Sequence, residues 1–231
     1  MNDFVNASLF FGGAVSILAY GLGVLLQKKT KLAVCNPLLI SICITILALA
    51  LTRTEYSCYM KSAQYLSYLL TPATVCLAVP LYEQLSLLRD NWKAVLAGIL
   101  SGVLTSLSCV FVLALVFKLS HKEYVTLLPK SITTAIGIGV SEKLGGYMSL
   151  TAAVIILTGI FGNVFAESVC RIFHITHPVA KGIAIGTASH AVGTAKAMEM
   201  GEIEGAMSSL SIVVSGLITV AGASLFAQFI Q

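Results

Sequence analysis

Charge is what this chain has least of. Only 10% of its 231 residues are Asp, Glu, Lys or Arg, while 57% are hydrophobic; a soluble domain carries about 25% charge. That shortage excludes an ordinary soluble enzyme. The 14 basic residues outnumber the 10 acidic ones to give +4, yet they are scattered through short loops and form no basic run. A nucleic-acid partner is therefore not expected. The six cysteines contain no C-x-x-C pair, so they read as small buried hydrophobes instead of a disulfide or zinc framework. His174 and His177 have a metal-like spacing but precede Pro178, with no carboxylate or cysteine at a ligand interval, so no metal site is expected. Gly137 and Gly139 lack the third glycine and the preceding strand of a phosphate-binding fingerprint. Ser189 and His190 are adjacent, which on a helix points them about 100° apart and rules out a nucleophile–base pair. The reading is a non-enzyme without cofactors.

What the chain has in abundance is long uncharged sequence. Residues 4–27, 32–52, 62–82, 94–117, 144–166 and 205–231 contain no Asp, Glu, Lys or Arg, and about 20 apolar residues in a helix suffice to cross a bilayer core. The fold class is an all-α polytopic membrane protein. In residues 4–27 the basic cluster Lys28, Lys29 and Lys31 follows the apolar stretch and Asp3 precedes it. This reverses a signal peptide's order, so the stretch reads as a first span with its N-terminus outside.

Segments are expected near 4–27, 33–52, 63–84, 94–117, 125–141, 147–166, 179–198 and 205–230, seven to eight of them transmembrane or re-entrant. The fifth is short, opened by Pro129 and Lys130 and closed by Glu142 and Lys143, and reads as a half-helix or re-entrant segment. The third carries Pro72 and Pro80, and the seventh carries Gly186, His190 and Gly193. Broken backbone at membrane depth survives only inside protein or beside a water-filled cavity. The two interrupted segments lie about half a chain apart, so the single membrane domain 1–231 divides into expected repeat halves 1–118 and 119–231. Interrupted helices at corresponding positions of two halves point to a transporter binding site.

A charge at the bilayer centre costs about 2.5–3.5 kcal/mol on insertion scales, so such residues are usually functional. Lys130, Ser131, Thr133 and Thr134 place a cation and three hydroxyls at the start of a segment, where helix N–H groups also favour an anion. Ser189, His190, Thr194 and Lys196 form the second group; if Gly193 breaks that helix, all four converge on one cavity. His190 titrates near neutrality and leads the proton-coupling candidates, with Glu142 and Glu199 at segment ends behind it. Asn163, inside the sixth segment, is placed to satisfy broken backbone in a neighbour. Pro72 and Thr74 of the interrupted third segment complete the expected substrate-binding set.

Several motifs together resemble one family. Asn36-Pro-Leu-Leu-Ile, Pro72-Ala-Thr-Val, Ala78-Val-Pro-Leu-Tyr-Glu-Gln84, Leu128-Pro-Lys-Ser-Ile-Thr-Thr134, Ser149-Leu-Thr-Ala152 and Gly186-Thr-Ala-Ser-His-Ala-Val-Gly-Thr-Ala-Lys-Ala197 are similar to the LrgB/CidB family of bacterial inner-membrane proteins. The likeness covers nearly the whole chain; where the family usually shows proline after Thr134, this chain has Ala135. A plant plastidic glycolate/glycerate translocator carries a similar domain. The resemblance implies alternating-access transport of small organic anions such as glycolate, glycerate or pyruvate. It equally implies the alternative, a holin/antiholin-like protein modulating murein hydrolases and lysis, with a small LrgA/CidA-type membrane partner. A homo-oligomer in the plasma membrane is expected.

Overall fold

The computed structural model describes residues 10–30, 37–69, 72, 75–76 and 78–230, and every regular element among them is helical. Four helices are long and apolar enough to span a bilayer: Phe11–Thr30, Leu88–Phe117, Met148–Ile172 and Glu202–Phe229. The chain is a multi-pass helical membrane protein. By packing it divides into two compact units, Met1–Cys76 and Leu77–Gln231.

The first unit contains α1 (Phe11–Thr30), α2 (Pro37–Thr52) and α3 (Tyr56–Ser67). Small residues let the backbones approach, as membrane helix pairs require. The Gly12 N–H donates to Ser62 Oγ at 2.7 Å and the Ser16 and Tyr59 hydroxyls lie 2.7 Å apart, tying the start of α1 to α3. At its other end Gly23 lies against Pro37. Pro37 opens α2, where its missing N–H costs nothing.

The second unit contains α4 (Ala78–Glu83), α5 (Leu85–Phe117), α6 (His121–Leu127), α7 (Thr134–Lys143), α8 (Met148–Ile172), α9 (Pro178–Met200), α10 (Glu202–Phe226) and a terminal 3₁₀ turn, Ala227–Phe229. Its core is formed by α5 and α10 with α6 wedged between, through Ile99, Val103, Leu107, Tyr124, Val125, Met207 and Ala223. Within the third expected segment the described residues include the end of α3 at Ser67 and α4 from Ala78, with Pro72 and residues 75–76 also helical.

The seventh expected segment is interrupted, as its composition indicated, and takes the form of a hairpin. The backbone of α9 breaks at His190 (φ 44°, ψ −142°), and the two arms fold back on each other. A methyl on Gly193 would lie 3.1 Å from Ile185 Cγ2, and Ile185 packs with Ala197, although residues eight or twelve apart in a straight helix are separated by about 12–18 Å. Each arm of about a dozen residues reaches about 18 Å, about three-fifths of a bilayer core of about 30 Å. The break falls at His190 and not at Gly193, which is needed instead where the arms meet.

A second hairpin, α6–α7, enters from the opposite end of the unit. Thr126 of α6 and Ser141 of α7 are held side by side, because the Thr151 hydroxyl lies 3.0 Å from the Thr126 carbonyl oxygen and 2.7 Å from Ser141 Oγ. The fifth expected segment is thus a hairpin of two short helices, covering more residues than the sequence marked. Helix α8 joins the two hairpins: it starts beside Thr126, where the Tyr147 N–H donates to Thr126 Oγ1 at 2.8 Å, and ends beside Lys181 and Lys196. Helix α10 runs the other way, from Gly182 and Gly186 of α9 to Tyr124 of α6, whose hydroxyl donates to the Phe226 carbonyl at 3.0 Å. Hairpin plus following helix thus occurs twice, in opposite directions. Lys130-Ser131 and Ser189-His190 lie 59 positions apart, as do Gly146 and Gly205, and Met148 and Met207.

Candidate functional site

The two hairpin tips converge on one turn of α8. Gly137, just past the first tip, lies against Ile155 Cδ1. At the second tip His190 Nε2 lies 3.0 Å from the Ile155 carbonyl oxygen. Facing the tips, α8 presents Gly159 and Gly162, which leave room for His190 and Ser189. Asn163 donates from Nδ2 to the Val192 carbonyl at 2.7 Å, satisfying backbone just beyond the break as the sequence indicated. Buried carbonyls freed by a break must find such a donor.

Lys130 is half-buried at the first tip. Its ammonium donates to Ser131 Oγ at 2.9 Å, and Ser131 Oγ lies 3.1 Å from Ser106 Oγ of α5. Among the described residues Lys130 forms no ion pair, whereas Lys181 and Lys196 do. Thr133 caps α7 without a side-chain cap bond, and Thr134 begins that helix, so its first N–H groups and those of the second arm of α9 both open at the tips. This arrangement can hold a carboxylate by one cation, hydroxyls and two helix N-termini.

The remaining predicted residues lie elsewhere. Thr194 is buried, 3.0 Å from the His190 carbonyl oxygen and 2.7 Å from Ser208 Oγ, so it braces the second arm. Lys196 is 3.2 Å from Glu199 and 3.5 Å from Glu167, on the rim of an open cleft of about 660 Å³ that also includes Cys170, Arg171 and Lys181. Glu142 is exposed at the base of the first hairpin, Glu199 on that rim, and Pro72 is exposed in the first unit; Thr74 lies outside the described residues. Ser106 escaped the sequence reading. Its signal was the Gly98–Gly102–Ser106 stripe at four-residue spacing, which packs on Ile183, Thr187 and Ser131.

Residues 16–229 match the LrgB-like family. The chain belongs to that family. This LrgB-like chain is 35% identical over 222 residues to the antiholin-like protein LrgB of Bacillus cereus strain B4264, covering 96% of both chains. The antiholin-like protein LrgB of Bacillus anthracis strain A0248 matches it to the same extent. No solved structure matches the chain.

Proposed function

We propose that the protein is a carrier of small monocarboxylates, such as glycolate, glycerate or pyruvate, in the bacterial plasma membrane. The single observation behind this reading is Lys130, a half-buried ammonium among hydroxyls at the meeting point of two opposed hairpins, with no carboxylate partner among the described residues. A cation at membrane depth without a counter-ion is costly, and a substrate carboxylate would supply one. In this reading Lys130, Ser131, Ser106 and Ser189 hold the anion, the N-terminus of α7 at Thr133 and Thr134 faces it, and His190 is the group placed to exchange a proton. Oppositely directed hairpin-plus-helix units suit alternating access, since each hairpin can close the site from its own side. The expected halves 1–118 and 119–231 would extend that duplication to the whole chain, and assembly as a homo-oligomer belongs to the same reading.

The relatives' name, antiholin-like protein LrgB, favours a second reading: a holin/antiholin-like membrane protein that modulates murein hydrolases and lysis, with a small LrgA/CidA-type partner. Counterflow of labelled glycolate, glycerate, pyruvate and lactate into liposomes carrying purified protein separates the two. Saturable, selective uptake supports the carrier; unselective dye leakage without uptake supports the antiholin-like reading.

A further inference from the structure

We infer that the α9 hairpin, residues 178–200, is a gate that separates from α8 while staying docked on α10, with the Lys196–Glu167 ion pair as its latch. The inference rests on the carrier reading for its purpose but not for its motion.

The two faces of the hairpin are built differently. Toward α10 it is sealed at backbone distance: a methyl on Gly182 would lie 2.7 Å from Met207 Cβ, and one on Gly186 would lie 2.8 Å from Ser211 Cβ. Glu204, buried at the start of α10, lies 3.9 Å from Lys181, and Thr194 and Ser208 share a buried hydrogen bond. The hairpin packs on α10 more extensively than on α8.

Toward α8 the hairpin also approaches at glycine distance, Gly159 and Gly162 lying against His190 and Ser189 and Ala166 clustering with Ile185 and Ala197, but small residues line the α8 side of that contact. What fastens the two at the rim is Lys196 to Glu167, a residue whose side chain is 56% exposed. Lys196 also pairs with Glu199 on its own arm. Such exposed pairs contribute about 0–1 kcal/mol. Two further bonds, His190 to Ile155 and Asn163 to Val192, hold the tip. The cleft of about 660 Å³ already opens between the base of the hairpin and the end of α8. The first hairpin differs: Thr126, Ser141 and Thr151 tie its base to α8 through buried hydrogen bonds. A separation starting at the cleft would therefore run along the glycine face to Ser189 and His190 and stop at the first tip.

The test is a distance measurement between spin labels on His174→Cys and Met200→Cys, which line the cleft from the end of α8 and the end of the hairpin, in otherwise cysteine-free protein in liposomes. Lys196→Gln should increase a population longer by about one helical turn, about 5 Å or more. The exchanged pair Lys196→Glu with Glu167→Lys should reverse that increase, and it keeps the test valid if Lys196→Gln folds poorly. Labels on Lys122→Cys and Met148→Cys, at the base of the first hairpin, should not respond. One unchanged distance in all variants overturns the gate. Separation in protein that carries no anion supports the gate and overturns the carrier reading alone; transport at an unchanging distance overturns the gate alone.

Discussion

His190 Nε2, at the tip of one hairpin, lies 3.0 Å from the carbonyl oxygen of Ile155, and Gly137, just past the tip of the other, lies against the side chain of that same residue of α8. Residues 53 positions apart in sequence thus share one small volume. The following predictions concern how that volume is built and used.

A methyl added to Gly162 would overlap both Oγ and Cβ of Ser189. Gly162→Ala should push the second tip off α8 and lower stability by about 1–3 kcal/mol, the usual cost of overpacking. Gly139→Ala, in open space on α7, should instead be neutral or stabilising by about 0.5–1 kcal/mol. Thermal unfolding in detergent checks both, and equal responses would contradict the tip geometry.

His190 has φ 44°, a conformation that costs a non-glycine residue about 1–3 kcal/mol. His190→Gly relieves that strain while deleting the imidazole, and His190→Ala deletes the imidazole and keeps the strain. The glycine variant should therefore unfold at the higher temperature of the two. Both should lose proton-coupled uptake, measured as the response to an imposed pH gradient.

Ser106 holds Ser131 in place beneath the Lys130 ammonium. Ser106→Ala removes one hydrogen bond worth about 0.5–1.5 kcal/mol, so the apparent affinity for the anion should fall about 2–10-fold. Maximal uptake should stay near wild type. A concentration series in the counterflow assay tests this, and an unchanged half-saturation would place Ser106 outside the site.

Glu123 is held below its ordinary value by hydrogen bonds from the Ser120 side chain and backbone; the backbone bond and the return bond from the Glu123 N–H to Ser120 Oγ form a capping box on α6. A depressed folded-state value means the cap contributes above the ordinary glutamate range and loses that contribution as pH falls through the folded value. NMR titration of the Glu123 carboxyl should show the depression in wild type and its reduction in Ser120→Ala. Identical titrations would remove the cap from the account.

The helical membrane class was legible because uncharged runs of more than 20 residues leave few alternatives. The hairpin at 178–200 was not legible as a fold-back, since its composition resembles a poor span and the break sits on a histidine. Glycine is the usual signal for such a φ, and Gly193 drew attention for that reason; its role is to let the second arm approach Ile185. Lys130, Ser131 and His190 were identified because a charge or a histidine inside apolar sequence is costly. Lys196 was drawn to the same group by proximity in sequence, while the fold-back carries it six residues from the tip to the rim. The reversed pair of hairpins lay hidden because antiparallel copies need share only the packing of small residues.

The most direct test of the central claim is saturable uptake by liposomes holding wild-type protein, Lys130→Gln or Lys130→Arg, with dye retention followed in the same vesicles. The account predicts saturable monocarboxylate uptake by wild type, its loss in Lys130→Gln, partial retention in Lys130→Arg and intact dye retention throughout. Full uptake by Lys130→Gln, or leakage of dye from wild-type vesicles without selective uptake, would contradict it.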